Sequence, residues 1–134
     1  MAYEGYLIKV GNYKIPHSII KADTYKVLES VQDIDSFTDN DGILNREVLE
    51  HLKPKVEFET KNLLTNTQFA ELMSNIRANY TIAKERKAEV TIYIPEKDYY
   101  TTQSMYMPDI EPQIYFADSK KIQYNPIRLA FIGY

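Results

Sequence analysis

Apolar and polar side chains alternate along much of this chain, and over several stretches the alternation has a period of two. In KVEFET (55–60), Val56, Phe58 and Thr60 fall on one side and Lys55, Glu57 and Glu59 on the other, the pattern of a strand covered on one face. KAEVTIYI (87–94) repeats it with Ala88, Val90, Ile92 and Ile94 turned inward, and IRLAFI (127–132) does so through Ile127, Leu129 and Phe131. GYLIKV (5–10), a Gly-Asn turn and YKI read as a short hairpin that ends at Pro16, because proline cannot donate to a ladder. Pro54 and Pro95 fall at the ends of strand runs, where they are tolerated.

One stretch follows a different period. In LTNTQFAELMSNIRANY (64–80), Phe69, Leu72, Met73, Ile76 and Tyr80 recur at helical spacing, and Thr65 with Gln68 forms a capping box. A single amphipathic helix among strands must bury its stripe against a sheet. Residues 95–112 mix polar, aromatic and proline positions and read as an exposed strand or a long connection. No internal repeat, low-complexity tract or Gly/Ser linker interrupts the chain. The expectation is one domain over 1–134, mainly β: a β-sandwich or partly open barrel of antiparallel strands, with one packed α-helix at about 65–80.

A chain of 134 residues is long enough to bury a core without staples, and it contains no cysteine, which removes disulfides and thiolate metal sites. With 19 acidic and 16 basic side chains, the net charge of -3 gives no general attraction to nucleic acid or anionic lipid. MAYEGYLIKV lacks the basic-then-apolar layout of a secretory signal, and no apolar run approaches the roughly 20 residues needed to span a bilayer. A soluble chain is expected, with no membrane partner and no specific nucleic-acid binding.

The densest chemistry lies in DIDSFTDNDGILNRE (33–47). A helix-loop-helix calcium loop would put oxygen ligands at alternate positions before its glycine. Counting back from Gly42 places Asp41, Asp39 and Phe37 there, and the bidentate glutamate position falls on Val48, so the register fails. Paired catalytic carboxylates need one acid in an apolar pocket and a second held ionised beside it. Here Glu29, Asp33, Asp35, Asp39 and Asp41 lie among serines, asparagines and threonine, with no base between Lys26 and Arg46. Such a segment reads as a hydrated loop tip or as an acidic loop facing a partner, and Asp33, Asp35, Asp39, Asp41, Gly42 and Arg46 are its candidate assembly residues.

Other catalytic constellations are thinner. His17 and His51 are isolated, no Gly-x-Ser-x-Gly elbow is present, and four glycines cannot assemble a P-loop or dinucleotide fingerprint. No catalytic residue, metal or cofactor is therefore expected. The chain has 12 tyrosines, with Tyr93, Tyr99, Tyr100, Tyr106, Tyr115 and Tyr124 crowding the second half. Interleaved with Lys84, Arg86, Lys87 and Lys97, they fit ordinary strand positions, a protein interface, or a stacking surface for nucleic acid or sugar. Tyr99, Tyr100 and Tyr106 are the candidate interface aromatics.

The order of these features resembles a family of small prophage and bacteriophage tail proteins of Gram-positive hosts. The likeness is carried by the hairpin YLIKVGNYKIP, the acidic segment closing as DNDGILNRE, KPKVEFET leading into LLTNTQFAELMSNI, and the terminal strand IRLAFIGY. The resemblance implies a structural subunit of a tail tube, tail tip or baseplate, with a β-sandwich and flanking helix, assembling with itself into stacked, commonly sixfold rings and with other tail proteins. It also implies a virion component assembled in the bacterial host cytoplasm. On that reading residues 29–46 order on assembly, with Arg46 pairing an acidic group at the loop base or on a neighbouring subunit. The competing expectation is a monomeric β-sandwich module that recognises a host glycan or protein through residues 93–124.

Overall fold

Val90 and Ile92 are fully buried in the middle of the strand Lys87–Ile94, and the rest of the architecture forms around them. The computed structural model describes residues 3–30, 33–38, 44–48 and 53–134. The strands in chain order are β1 (Ile8–Val10), β2 (Tyr13–Lys14), β3 (Lys26–Ser30), β4 (Asp33–Thr38), β5 (Leu44–Val48), β6 (Lys53–Glu59), β7 (Leu64–Thr65), β8 (Lys87–Ile94), β9 (Tyr99–Tyr106), β10 (Ile114–Ala117), β11 (Ile122–Tyr124) and β12 (Arg128–Gly133). A single α-helix among the described residues, α1 (Asn66–Ala78), lies between β7 and β8.

Seven strands form one antiparallel sheet in the order β2-β1-β8-β9-β12-β6-β3. The long ladder β8–β9 runs from Lys87 opposite Tyr106 to Ile94 opposite Tyr99. Its register turns Ala88, Val90, Ile92 and Ile94 to one face, as the alternation predicts. Val56 and Phe58 of β6, Thr60 just after it, and Ile127, Leu129 and Phe131 at β12 are buried in the same way. Leu72, Met73 and Ile76 of α1 join these side chains in one apolar cluster, so the helix covers the sheet's inner face. Burying each such side chain contributes about 1.5–3 kcal/mol.

The capping box forms as expected. Thr65 Oγ1 accepts the Gln68 N–H at 3.3 Å, and Gln68 Oε1 accepts the Thr65 N–H at 3.2 Å. The Gly-Asn turn between β1 and β2 is pressed against the other end of the helix. Gly11 has φ of 59°, and a Cβ there would sit 2.3 Å from the Asn79 Oδ1 that accepts the Asn12 N–H. Only glycine meets both demands.

Three details differ from the sequence expectation. Pro54 stands inside β6, opposite Glu29 of β3, rather than at its end, while β12 pairs with β6 only as far as Lys55. Residues 95–112 divide into strand β9 and an irregular segment after it. Most consequential, the acidic segment is not simply a loop: Asp33–Thr38 and Leu44–Val48 pair as a two-stranded antiparallel sheet of their own.

Candidate assembly surface

Strands β3 and β6 are neighbours, with Ser30 directly opposite Lys53. The chain therefore leaves the large sheet at Ser30 and re-enters it directly across the ladder. Between those points β4 and β5 pair through Asp35 with Glu47, Ser36 with Arg46, Phe37 with Asn45 and Thr38 with Leu44, after an irregularity between Asp33 and Asp35. Of the candidate assembly residues, Asp33 and Asp35 thus lie on β4 and Arg46 on the facing strand. Asp39, Asp41 and Gly42 lie outside the described residues, as does His51. The segment also contains Ile34, Phe37, Thr38, Leu44 and Val48, residue types that favour extended backbone, and this was the available signal for a hairpin.

A second feature was not singled out by the sequence. A three-stranded sheet, β10-β11-β7, sits beside the start of α1. Strand β11 is anchored there, since the Ile122 N–H donates to Asn66 Oδ1 at 3.0 Å and the Tyr124 ring lies 5.2 Å from that of Phe69. The outer strand β10 is bare. Ile114 is 54% exposed, Tyr115 64% and Phe116 46%, so neither face of this edge strand is covered by the chain's own fold. The turn that follows is built on Asp118, whose Oδ1 accepts the N–H groups of Lys120 and Lys121 at 2.8 and 2.9 Å. Those donors hold the carboxyl below its usual pKa range.

The large sheet has an exposed edge as well. Strand β3 terminates it, and Leu28 on that strand is 59% exposed. Beside this edge is a cleft of about 330 Å³ lined by Val27, Leu28, Ile94, Pro95 and Glu96. It exists because the sheet rolls: Tyr25, just before β3, donates its hydroxyl to the Tyr93 carbonyl at 2.8 Å on the far side of the sheet order.

The candidate interface tyrosines divide. Tyr100 is engaged inside the fold: its hydroxyl accepts the Glu4 N–H at 2.8 Å and donates to the Tyr6 carbonyl at 2.7 Å, while its ring stacks on Tyr6 at 4.6 Å. Tyr6 in turn sits under the ammonium groups of Lys9 and Lys14, two like charges directly opposite on paired strands. Tyr106 packs edge-on against Tyr134 at 5.5 Å, and Tyr99 is 41% exposed beneath Lys97.

A groove of about 550 Å³ runs beside α1, lined by Met73, Arg77, Tyr80, Met107 and Ile110 among others, with Arg86 and Asp109 paired at 2.8 Å on its wall. Among the described residues no three His, Asp or Glu side chains converge as a metal site, and no helix is long and apolar enough to cross a membrane.

Comparison with curated proteins gave no match. Among solved structures, the chain is similar to a chain from the tail of an empty GTA particle determined by helical refinement with C6 symmetry, with a TM-score of 0.53 and 14% identity. The alignment covers 99% of this chain and 95% of that one, and at such identity the likeness is one of fold. The family that matches over residues 1–134 is described as a family of unknown function, DUF6711, and the chain belongs to it.

Proposed function

We propose that this chain is a structural, non-catalytic subunit of a bacteriophage or prophage tail, in its tube, tip or baseplate, that assembles with copies of itself into rings. The observation that carries the reading is the fold likeness, which runs almost end to end in both chains, to a chain of a C6-symmetric particle tail. It agrees with the order of motifs in the sequence, which resembles tail proteins of phages of Gram-positive hosts. Physical chemistry supports it from a second side. A ring needs two different patches on each subunit, so that each copy is met head to tail until the rotation closes. Bare strand edges serve that purpose, and this chain has them at β10 and β3. The arm carrying Asp33, Asp35 and Arg46 supplies a further contact, to a neighbour in the ring or in the next layer. Its place is then the virion, after assembly in the host cytoplasm, with other tail proteins as partners.

The exposed Ile114, Tyr115 and Phe116 also suit a monomeric module that binds a host glycan or protein. Light scattering and native mass spectrometry over a concentration series separate the two. Discrete rings or polymers that grow with concentration are the expected result. A strict monomer at millimolar concentration would overturn the tail-subunit reading and favour the binding module.

A further inference from the structure

Strand β10 poses a physical problem that the isolated fold leaves open. Its four residues are exposed on both faces, and one backbone edge is bare while the other pairs with β11. A small ligand covers one face of a strand at most; another strand satisfies the edge and brings cover to both faces. The occupant must therefore be a polypeptide edge, and its chemistry is constrained by charge. Residues 109–118 carry Asp109, Glu111 and Asp118 and no basic side chain.

The geometry points to an antiparallel pairing of β10 with strand β3 of a second copy of this chain, in the register that sets Phe116 opposite Leu28 and Asp118 opposite Lys26. The assignment rests on the tail-subunit reading and names the surfaces it uses. Strands β2 and β7 are two residues each, too short to cover β10, and β4 carries Asp33 and Asp35, of the same sign as 109–118. Pairing β10 with itself antiparallel would bring Asp118 toward Glu111, again like charges. Strand β3 is long enough, ends its sheet, and presents the exposed Leu28 beside Lys26.

Direction and register follow from the same residues. A parallel arrangement with Phe116 opposite Leu28 would lay Asp118 against Ser30, with no opposite charge, whereas the antiparallel one lays Asp118 against Lys26. Because side chains alternate faces, the register that forms this ion pair places Phe116 against Leu28 on the same face. A single register thus joins the exposed apolar pair and the opposite charges. The two surfaces differ, so every copy keeps one of each free for the next.

The chain has no cysteine, so an engineered pair reports without background. Phe116→Cys protein mixed with Leu28→Cys protein under mild oxidation is expected to give a cross-linked heterodimer. Ala117→Cys with Leu28→Cys, one residue out of register and on the opposite face, is expected to give little. Phe116→Asp, at an exposed position, is expected to leave circular dichroism unchanged and weaken self-association about thirtyfold or more. Assembly that proceeds without the 116–28 cross-link, or with a dominant Phe116→Cys homodimer, overturns this pairing and leaves the tail-subunit reading standing. A chain that never self-associates overturns both.

Discussion

Thr60 sits on the inward face of an apolar strand because its hydroxyl has a partner there. The fully buried Oγ1 accepts the Ile127 N–H at 2.9 Å, while the Thr60 N–H donates to the Ile127 carbonyl at 2.9 Å, locking β6 to the start of β12. Thr60→Val keeps the shape and removes the acceptor, leaving a buried N–H unpaired, so urea melts are expected to show a loss of about 1–3 kcal/mol. An unchanged midpoint would mean the N–H finds another acceptor. Tyr25 gives a second prediction at this scale, through pH. Burial pushes its phenol well above the ordinary 10.0, and Tyr6, Tyr13 and Tyr80 shift upward for the same leading reason. The folded state holds these protons more tightly than the unfolded chain does. Their contribution is therefore complete below the unfolded value of about 10 and is lost as pH rises through the folded one. Denaturant midpoints should hold steady between about pH 7 and 9 and fall above about 10. Tyr25→Phe should be less stable by about 1 kcal/mol at pH 8, having lost its bond to the carbonyl, yet decline less steeply in alkali. Equal alkaline slopes for the two proteins would count against a buried Tyr25.

At the scale of elements, local sequence spoke clearly where one face of an element is covered. The strand around Val56 and the capped helix α1 bury one side, and those around Val90 and Leu129 do so apart from Thr91 and Ala130, which are covered as well; burial on one side is what periodicity records. Thr65→Ala should accordingly cost about 1 kcal/mol in thermal or urea unfolding by removing one half of the capping box. The same measurement on Leu72→Ala, in the fully buried stripe, should show about 2–5 kcal/mol. If the two variants fell equally, the helix would be held by its cap rather than by its packing. Strand β10 was illegible for the complementary reason: with both faces bare, Ile114–Ala117 has no alternation to read. The acidic segment misled differently. Its carboxylates suggested a solvated loop, and the extended-backbone preference of Ile34, Phe37 and Val48 decided the observed hairpin. Tyr100 illustrates a third limit, because the groups that engage its hydroxyl belong to Glu4 and Tyr6, far away along the chain, and spacing carries no trace of such contacts.

For the whole molecule, the pairing of Ser30 with Lys53 makes the arm between them separable in principle from the sheet that holds it. Two strands already in antiparallel register can be closed by a two-residue Asn-Gly turn, whose twist matches theirs. Replacing residues 31–52 by Asn-Gly should then leave β3 and β6 paired and shorten a long connection to a tight one, a change that loop-closure entropy favours slightly. The truncated chain is expected to be as stable as the parent or up to about 2 kcal/mol more stable, since the shortening amounts to roughly three and a half halvings of loop length at about 0.6 kcal/mol each. Its self-association tests the arm separately from the β10 edge. If the arm reaches a neighbour, light scattering of the truncated chain should show small or incomplete assemblies, although the 116–28 cross-link still forms, because β3 keeps its place in the sheet. Loss of the fold itself would show that the arm braces the sheet. Assemblies of unchanged size and stability would show that the acidic arm is not a joint, and would leave the strand edges as the remaining basis for self-association.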